Sequence, residues 1–270
     1  MTNLFSVKDK IIVLTGGTGI LGSSMVNHFA EQGATVVILD KNKEAGTALQ
    51  HVVCEKGGNA WFLYTDVLDK EVLELCYADI MAKYGRIDVL INGAGGNMPG
   101  ATIPPDKSIF DLEIDAFRKV VDLNLFGTIL PTMVFSKAMV EQKKGSIINI
   151  ASESAIRPLT RVAGYGTAKA AVVNFTRYLA GELACKYGDG LRVNAIAPGF
   201  FLTEQNRTLL TNPDGSLTDR AKIIIAHTPF RRFGEPEELL GTMQWLASDA
   251  SKFVTGTLTV IDGGFDAFSI

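Results

Sequence analysis

Short runs of β-branched and apolar residues recur along the whole chain between segments long enough for helices. Because consecutive side chains of a strand point to opposite faces, runs that are apolar throughout predict strands covered on both faces. The runs are Ile11–Thr15, Thr35–Leu39, Ala60–Tyr64, Asp88–Asn92, Ser146–Ile150, Arg192–Ile196 and Leu258–Ile261. They predict a doubly wound α/β fold of Rossmann type, a parallel sheet of seven strands with helices on both faces.

The segments between these runs predict helices, and several are followed by a glycine that can end a helix. The predicted helices are Leu21–Gln32, Lys43–Lys56, Lys70–Tyr84, Asp115–Glu141, Gly164–Tyr187, Asp219–His227 and Glu235–Ser248. The fourth of them contains Gly127 and Pro131, so we expect it to be kinked rather than broken.

We expect residues 1–270 to form one domain, because no change of composition and no repeat divides the chain. Two segments, 93–110 and 200–217, are longer than ordinary connections. Each follows the carboxyl end of a strand, where open α/β sheets bind ligands. We therefore expect both segments to border a substrate pocket.

The composition excludes several classes of protein. With 47% hydrophobic and 20% charged residues, the chain has the composition of a folded protein rather than a disordered one. A net charge of −3 without long runs of Lys or Arg argues against nucleic acid and membranes as partners, so we expect a small-molecule substrate. Cys54, Cys76 and Cys185 form no CxxC pair, and no metal-ligand spacing links the three histidines. We expect a cytoplasmic location and no metal.

A glycine-rich turn, Thr15-Gly16-Gly17-Thr18-Gly19-Ile20-Leu21-Gly22, joins the first predicted strand to the first predicted helix. Glycines let backbone amides approach a pyrophosphate, and a helix N-terminus adds N–H groups with partial positive charge. This turn in this context predicts a dinucleotide-binding site.

Acidic residues at the ends of the next two strands extend the prediction. Asp40 can accept hydrogen bonds from both ribose hydroxyls of an adenosine and would repel a 2′-phosphate. It favours NAD, while the adjacent Lys41 keeps NADP as the less favoured alternative. Asp66-Val67 ends the third strand, where Asp66 can either meet an adenine amino group or cap the helix that begins near Asp69.

A second set of polar residues lies in the middle of the chain. Tyr165 and Lys169 are four residues apart in a predicted helix, so they lie one turn apart on one face. An ammonium near a phenol favours the phenolate, so we expect Lys169 to lower the pKa of Tyr165 toward neutrality. Ser152 closes the fifth strand and can donate a hydrogen bond to a substrate oxygen.

Together these residues resemble the classical short-chain dehydrogenases/reductases, and the resemblance runs from Lys10 to about Phe265. The motifs that carry it are the turn at 15–22, Asp66, Asn92-Gly93-Ala94-Gly95, Asn124, Ser152, Tyr165, Lys169, Pro198-Gly199 with Thr203, and Asp262-Gly263-Gly264. The resemblance implies an enzyme in which Tyr165 exchanges a proton with the substrate and Lys169 lowers its pKa and binds the nicotinamide ribose. It also implies that Ser152 orients the substrate carbonyl or alcohol and that Asn124 holds a water in a proton relay.

The resemblance further implies a set of residues that bind the cofactor. They are Gly16, Gly17, Thr18, Gly19, Ile20, Leu21, Gly22, Asp40, Asp66, Val67, Asn92, Gly93, Ala94, Tyr165, Lys169, Pro198, Gly199, Phe201 and Thr203. Two positions depart from the family pattern. Ile20 replaces the second glycine of the usual T-G-x-x-x-G-x-G, with Gly19 before it, and Gly93 replaces the second asparagine of the usual Asn-Asn-Ala-Gly.

Within the family, the segments Ile91–Gly100, Pro198–Leu210 and Arg232–Gly241 are most similar to sugar-acid oxidoreductases that interconvert D-fructuronate and D-mannonate with NAD(H). The alternatives are a gluconate 5-dehydrogenase, a 3-oxoacyl-[acyl-carrier-protein] reductase and, outside the enzymes, an NAD-sensing regulatory subunit. The two long helices at 115–141 and 164–187 correspond to those through which the family commonly forms tetramers, so we expect a homotetramer.

A sugar-acid substrate carries a carboxylate, which requires a cation near the pocket. Arg157, five residues after Ser152, and Arg207, in the segment after Pro198-Gly199, are the candidates beside Ser152 for substrate contacts. For each arginine the alternative is an ordinary surface ion pair.

Overall fold

The computed structural model describes residues 3–202 and 210–267. Its strands are β1 (Ile11–Thr15), β2 (Thr35–Asp40), β3 (Asn59–Tyr64), β4 (Val89–Asn92), β5 (Gly145–Ile150), β6 (Leu191–Pro198) and β7 (Leu258–Ile261). They form one parallel sheet in the order β3-β2-β1-β4-β5-β6-β7. The chain direction across the sheet reverses between β1 and β4, so a cleft opens above their carboxyl ends. The predicted fold class is confirmed.

Helices cover both faces of this sheet. They are α1 (Ile20–Glu31), α2 (Lys43–Glu55), α3 (Lys70–Tyr84), α4 (Ile114–Val121), α5 (Gly127–Gln142), α6 (Ala163–Tyr187), α7 (Asp219–His227) and α8 (Leu240–Ala247). The last predicted helix differs at its start, where Pro236–Leu239 is a 3₁₀ turn that leads into α8. Pro236 lacks a backbone N–H, which is tolerated in a first turn, and a reciprocal hydrogen-bonded cap between Glu235 and Glu238 holds this tighter geometry.

The kink predicted near Gly127 and Pro131 takes a different form. Residues Asp122–Phe126 form a π-helical turn that joins α4 to α5 without a break. A π turn accommodates one extra residue and is often found at functional sites. It places Asn124 in the interior, fully buried.

The core has two layers, one on each side of the sheet. Ile12 and Leu14 of β1 pack on one face with Phe29 of α1, whereas Val13 packs on the other with Phe135 of α5. All five are fully buried, and burial of each such side chain stabilises the fold by roughly 1.5–3 kcal/mol. This alternation explains why β1 is apolar at consecutive positions from Ile11 to Leu14.

The continuous helical stretch Ile114–Gln142 is long and apolar enough to meet the length and composition criteria for a membrane span, and half of its most apolar window is buried in the protein. Its residues Phe135, Ala138 and Met139 pack in the second core layer with Leu90 of β4. The stretch is therefore a core helix of this domain.

Candidate active site

The glycine-rich turn packs against the loop that follows β4. Gly16 has a φ of 70°, and a Cβ atom there would lie 2.7 Å from Cα of Ala94. The side-chain oxygen of Thr15 accepts hydrogen bonds from the backbone N–H groups of Gly93 and Ala94, each at 3.2 Å. The two loops therefore form one continuous backbone surface above the sheet, where β1 and β4 diverge.

The start of α1 completes this surface. A Cβ atom on Gly22 would lie 2.2 Å from the carbonyl oxygen of Gly16, so the first turn of the helix lies directly on the glycine-rich turn. Gly19 is the N-cap, and within the described ranges no side chain caps the helix. The N–H groups of its first turn are thus left for solvent or an anion, and the cradle fits a pyrophosphate. With Ile20 in place of the usual glycine, Gly19 and Gly22 still provide the close approach.

Asp40 holds a negative charge beside this cradle. Its Oδ2 accepts a hydrogen bond from the N–H of Thr18 at 3.1 Å, and its Oδ1 accepts one from the N–H of Asn42 at 3.0 Å. These bonds fix the carboxylate between the glycine-rich turn and the start of α2. The predicted position beside an adenosine ribose is compatible with this geometry.

The structure decides between the two interpretations of Asp66 as a helix cap or a ligand-facing residue. The cap of α3 is Asp69, whose side chain accepts hydrogen bonds from the N–H groups of Glu71 and Val72. Asp66 instead accepts one from the N–H of Leu68 at 2.9 Å. It is therefore not the cap, which leaves the adenine interpretation for its partly exposed carboxylate. The side chain of Val67 is buried.

Asn92, which we expected to contact the cofactor, has a side chain with a structural role. Its side chain is buried, and Nδ2 donates to Thr132 Oγ1 and to Asn149 Oδ1, both at 2.8 Å. A second buried hydrogen bond runs from Asn149 to Thr176. The side chain of Asn92 therefore ties β4 to β5 and α5 beneath the cleft, because an amide at the buried end of a strand needs hydrogen-bond partners.

Three predicted catalytic side chains come together at the carboxyl end of β5. Ser152 lies two residues after the end of β5 and is hydrogen-bonded to the hydroxyl of Tyr165 on α6. The Nζ atom of Lys169, one turn further along α6, lies 5.6 Å from the centre of the Tyr165 ring and donates to the carbonyl of Ile150 at 2.7 Å. Ser152 also accepts a hydrogen bond from the Ser154 hydroxyl at 3.0 Å.

The pKa of Tyr165 shifts in the direction opposite to our prediction. Burial raises the pKa of the phenol, and the hydrogen bond from Ser152 offsets only part of that rise. Burial also lowers the pKa of Lys169 to about 8. The predicted fall in the pKa of Tyr165 is therefore wrong for this arrangement, in which burial of the phenol is the largest cause of the shift.

Asn124 lies near Lys169 and holds the loop after β4. Its Nδ2 donates to the carbonyl of Gly96 at 2.6 Å, and its Oδ1 accepts from the N–H of the same residue at 3.1 Å. A Cβ atom on Gly95 would lie 2.7 Å from this Oδ1 and 3.1 Å from the Nζ of Lys169. The side-chain amide thus positions the loop beside the lysine.

A cavity of about 230 Å³ opens beside Ser152 and Tyr165. Its wall is largely apolar, and its lining includes Leu21, Leu159, Val162, Phe200, Phe201 and Leu210 together with the polar residues Asn97, Ser152, Glu153, Tyr165 and Arg220. Both long segments predicted to border the pocket contribute to this lining. A larger cavity of about 350 Å³ lies at the opposite edge of the sheet, around Lys10 and Asp249, and contains none of the predicted site residues.

The strand β6 ends at the same cavity. Pro198 is its last residue, and the N–H of Gly199 donates to the carbonyl of Ile261 at 2.9 Å. Phe201 is only 5% exposed, and its ring lies so close to Gly234 that a Cβ there would be 2.5 Å away. Phe201 therefore belongs to the core as well as to the cavity wall. Thr203, expected to contact the cofactor, lies outside the described residues.

The two arginines proposed as carboxylate ligands have different outcomes. Arg157 is ion-paired with Asp266, with 2.6 Å between Nε and Oδ1, so the surface-pair alternative describes it. Arg207 lies outside the described residues. Arg220, in the first turn of α7, lines the cavity and was missed because nothing in its local sequence connects it to the distant Ser152.

Glu153 was also missed, since it is a single acidic residue in a predicted loop. It is 1% exposed, and within the described part of the chain neither of its carboxyl oxygens has a hydrogen-bond partner. Burial, followed by the charges of Asp266 and Asp262, raises its pKa to about 7, while Arg157 acts in the opposite direction. The cavity thus has an acidic residue directly beside Ser152.

Known proteins are similar to this chain in sequence and in fold. A family model of the short-chain dehydrogenases/reductases, described as enoyl-(acyl carrier protein) reductase, matches residues 18–266. An uncharacterized oxidoreductase of Bacillus subtilis, UxuB, is 45% identical over 98% of this chain and 97% of its own.

Solved structures with a similar fold include members of the same class of enzyme. The crystal structure of a provisionally assigned D-mannonate oxidoreductase from Haemophilus influenzae, with bound NAD, superposes with a TM-score of 0.91 at 40% identity and covers 99% of both chains. A gluconate 5-dehydrogenase from Burkholderia cenocepacia, in complex with NADP and tartrate, superposes with a TM-score of 0.87 at 29% identity and covers 98% of both chains. The chain belongs to the short-chain dehydrogenase/reductase family and is an NAD(P)-dependent oxidoreductase.

Proposed function

We propose that the protein interconverts D-fructuronate and D-mannonate with NAD(H). The observation that carries this proposal is that Ser152 and Tyr165 line one small cavity, with Lys169 one helical turn from Tyr165, in a chain with 40% identity to the NAD-bound Haemophilus protein. The cavity combines apolar walls with hydroxyl, carboxyl and guanidinium groups, a combination that suits a short polyhydroxylated acid.

In this proposal each polar residue has one role. Tyr165 accepts the proton of the substrate alcohol during oxidation and returns it to the ketone during reduction. Ser152, already hydrogen-bonded to that phenol, orients the substrate oxygen. The bound nicotinamide supplies the acceptor or donor of the hydride.

Lys169 and Asn124 have supporting roles in this proposal. The Lys169 ammonium lies within 5.6 Å of the phenol ring and stabilises a phenolate when one forms. Asn124 keeps the loop at Gly95 and Gly96 in place beside the lysine. A water relay through Asn124, which the resemblance implies, fits its place next to Lys169 and remains part of the proposal.

The proposed cofactor is NAD. The cradle formed by Gly16, Gly19 and Gly22 leaves room for a pyrophosphate, and Asp40 places a carboxylate where a 2′-phosphate would be repelled. We propose that NAD makes further backbone and side-chain contacts with Thr18, Ile20, Leu21, Gly93, Ala94, Asp66, Val67, Pro198 and Gly199.

Gluconate 5-dehydrogenase activity is the second candidate. It is favoured by the fold shared with the Burkholderia enzyme, whose complex holds tartrate, a short hydroxy acid. The two candidates can be separated by following the absorbance of the reduced nicotinamide with D-mannonate, D-gluconate and 3-oxoacyl thioesters, each with NAD(H) and NADP(H). The proposal expects the highest kcat/KM for D-mannonate with NAD, and a preference for D-gluconate would contradict it.

We also propose that the protein forms a homotetramer in the cytoplasm. Its long helical segments carry exposed apolar side chains, including Met133 at 55% exposure on α5 and Tyr178 at 65% on α6. A symmetric interface would bury these side chains. Light scattering on the purified protein tests the assembly, and the three free cysteines, two of them exposed, fit a reducing compartment.

A further inference from the structure

Arg220 places a positive charge on the wall of the cavity that contains Ser152 and Tyr165. Its Nη1 donates to the Oγ1 of Thr160 at 3.1 Å, and its Nη2 donates to the carbonyl of the same residue at 3.3 Å. Both partners are neutral. Among residues 3–202 and 210–267, no carboxylate lies within ion-pair distance of this guanidinium.

The surroundings of Arg220 disfavour its positive charge, so a bound anion would be stabilising there. Burial lowers its pKa, and the neighbouring charge of Arg161 lowers it further. Two like charges in one partly buried region cost free energy, which a bound anion would offset.

The loop that carries these contacts has a defined shape. Arg161 has a φ of 76°, unusual for a residue other than glycine, and its carbonyl accepts a hydrogen bond from the N–H of Ile103 at 3.0 Å. A residue other than glycine is strained in this backbone region, and such strain is often found at ligand-binding sites. The loop therefore presents Thr160 to Arg220 in a fixed orientation.

The cavity has an acidic residue, Glu153, and a basic residue, Arg220, in its lining, so a substrate carboxylate is favoured at one end. Glu153 lies beside Ser152, and the charges of Asp262 and Asp266 act on it, so this side repels a substrate carboxylate. Arg157 offsets that repulsion only in part, and it is already paired with Asp266. Of the cavity-lining residues that the structure describes, Arg220 is the cationic one.

We propose that Arg220 binds the carboxylate of the substrate and so orients the sugar acid with its reacting carbon toward Tyr165. This inference rests on the proposed function, because it supplies the recognition of an acid at the same site. It assigns the selectivity for carboxylate-bearing polyols over neutral polyols to one side chain. The planar guanidinium suits this role, since it can donate two parallel hydrogen bonds to one carboxylate.

The test compares kcat/KM for D-mannonate oxidation in the unaltered enzyme, Arg220→Gln, Arg220→Lys and Lys222→Gln. Lys222 is the matched control, because it lies on the same helix and is paired with Asp219 at the surface. We expect Arg220→Gln to lose roughly 10- to 150-fold in kcat/KM, mainly through a higher KM, and Arg220→Lys to lose less. Lys222→Gln should change kcat/KM by less than about twofold.

Two further measurements separate binding from a merely structural role. NADH titration by fluorescence should give the same Kd in every variant, and added guanidinium ion should partly restore the activity of Arg220→Ala. Unchanged kcat/KM in Arg220→Gln, or an equal loss for the uncharged D-mannitol if it is oxidised, would overturn the inference. A folding failure in one variant leaves the comparison with Arg220→Lys.

The outcomes also distinguish this inference from the proposed function. If the enzyme prefers D-gluconate and the Arg220 variants lose that activity selectively, the carboxylate inference stands and the D-mannonate assignment is wrong. If the enzyme oxidises D-mannonate and the Arg220 variants are unaffected, the D-mannonate assignment stands and the carboxylate inference is wrong. A preference for substrates without a carboxylate would overturn both.

Discussion

Gly22 lies so close to Gly16 that a Cβ atom on it would be 2.2 Å from the Gly16 carbonyl oxygen. Because the obstacle is a main-chain atom, relieving this contact requires the backbone of the turn or of α1 to move. The start of α1 is thereby fixed against the turn that forms the proposed pyrophosphate cradle. Stability and cofactor binding should depend together on this one approach.

Gly22→Ala is therefore expected to lower the free energy of unfolding by about 1–3 kcal/mol and to weaken NADH binding, because α1 must shift away from the turn. Urea denaturation and NADH fluorescence titration measure the two effects. Gly181→Ala is the control, since Gly181 lies within α6 and no described atom would come within 4 Å of its new Cβ. That variant should be stabilised by roughly 0.5–1 kcal/mol. Equal behaviour of the two variants would contradict the close approach.

Tyr165→Phe tests the proposed proton carrier. The change removes only the hydroxyl that is hydrogen-bonded to Ser152, so the fold and the cofactor cradle should be retained. We expect kcat to fall by roughly 10²- to 10⁴-fold while the Kd for NADH stays within about twofold. Tyr178→Phe, on the exposed face of the same helix, should leave kcat unchanged. Dehydrogenase activity that survives in Tyr165→Phe would show that another group carries the proton.

The features that sequence predicts well here are local. The bounds of α3 at Lys70–Tyr84 follow from its apolar spacing and from Gly85, which adopts a left-handed conformation after the helix. The seven strands likewise follow from runs of apolar residues that need no knowledge of their neighbours. The glycine-rich turn was placed correctly because its function depends on consecutive residues.

The features that were missed depend on contacts between distant parts of the chain. Arg220 lies at the cavity because α7 packs beside the loop at Thr160, a contact between residues 60 positions apart. The π turn around Asn124 is not visible in a helical pattern of side chains. The hydrogen bond between the side chains of Asn92 and Asn149 was missed for the same reason, since Asn149 comes from the adjacent strand.

Asp40→Asn tests the proposed preference for NAD. The amide oxygen keeps an acceptor for one of the two N–H groups, Thr18 or Asn42, that now donate to separate carboxylate oxygens, and the change removes the negative charge. We expect the ratio of kcat/KM with NAD to that with NADP to fall by about 10-fold or more, because the repulsion of a 2′-phosphate is lost. Asp69→Asn, at the cap of α3, serves as the control and should leave the ratio unchanged. An unaltered ratio in Asp40→Asn would mean that other groups select the cofactor.

The buried carboxyl of Glu153 should make the stability of the protein depend on pH. Burial and the charges of Asp266 and Asp262 raise its pKa from 4.5 to about 7 in the folded protein, with Arg157 opposing them. The folded state therefore binds more protons than the unfolded state between these two values. The contribution is present below about pH 4.5 and is lost as the pH rises through about 7, at a cost of at most about 3 kcal/mol.

Glu153→Gln removes this titration while keeping the size of the side chain. Its free energy of unfolding should therefore fall less than that of the unaltered protein between pH 5 and 8, as measured by urea denaturation at each pH. Because all other groups titrate in both proteins, their contributions cancel in the difference. Glu31→Gln, at an exposed position near the end of α1, should show no such difference. Parallel pH profiles for Glu153→Gln and the unaltered protein would mean that the carboxyl finds a hydrogen-bond partner in solution and ionises at its ordinary pKa.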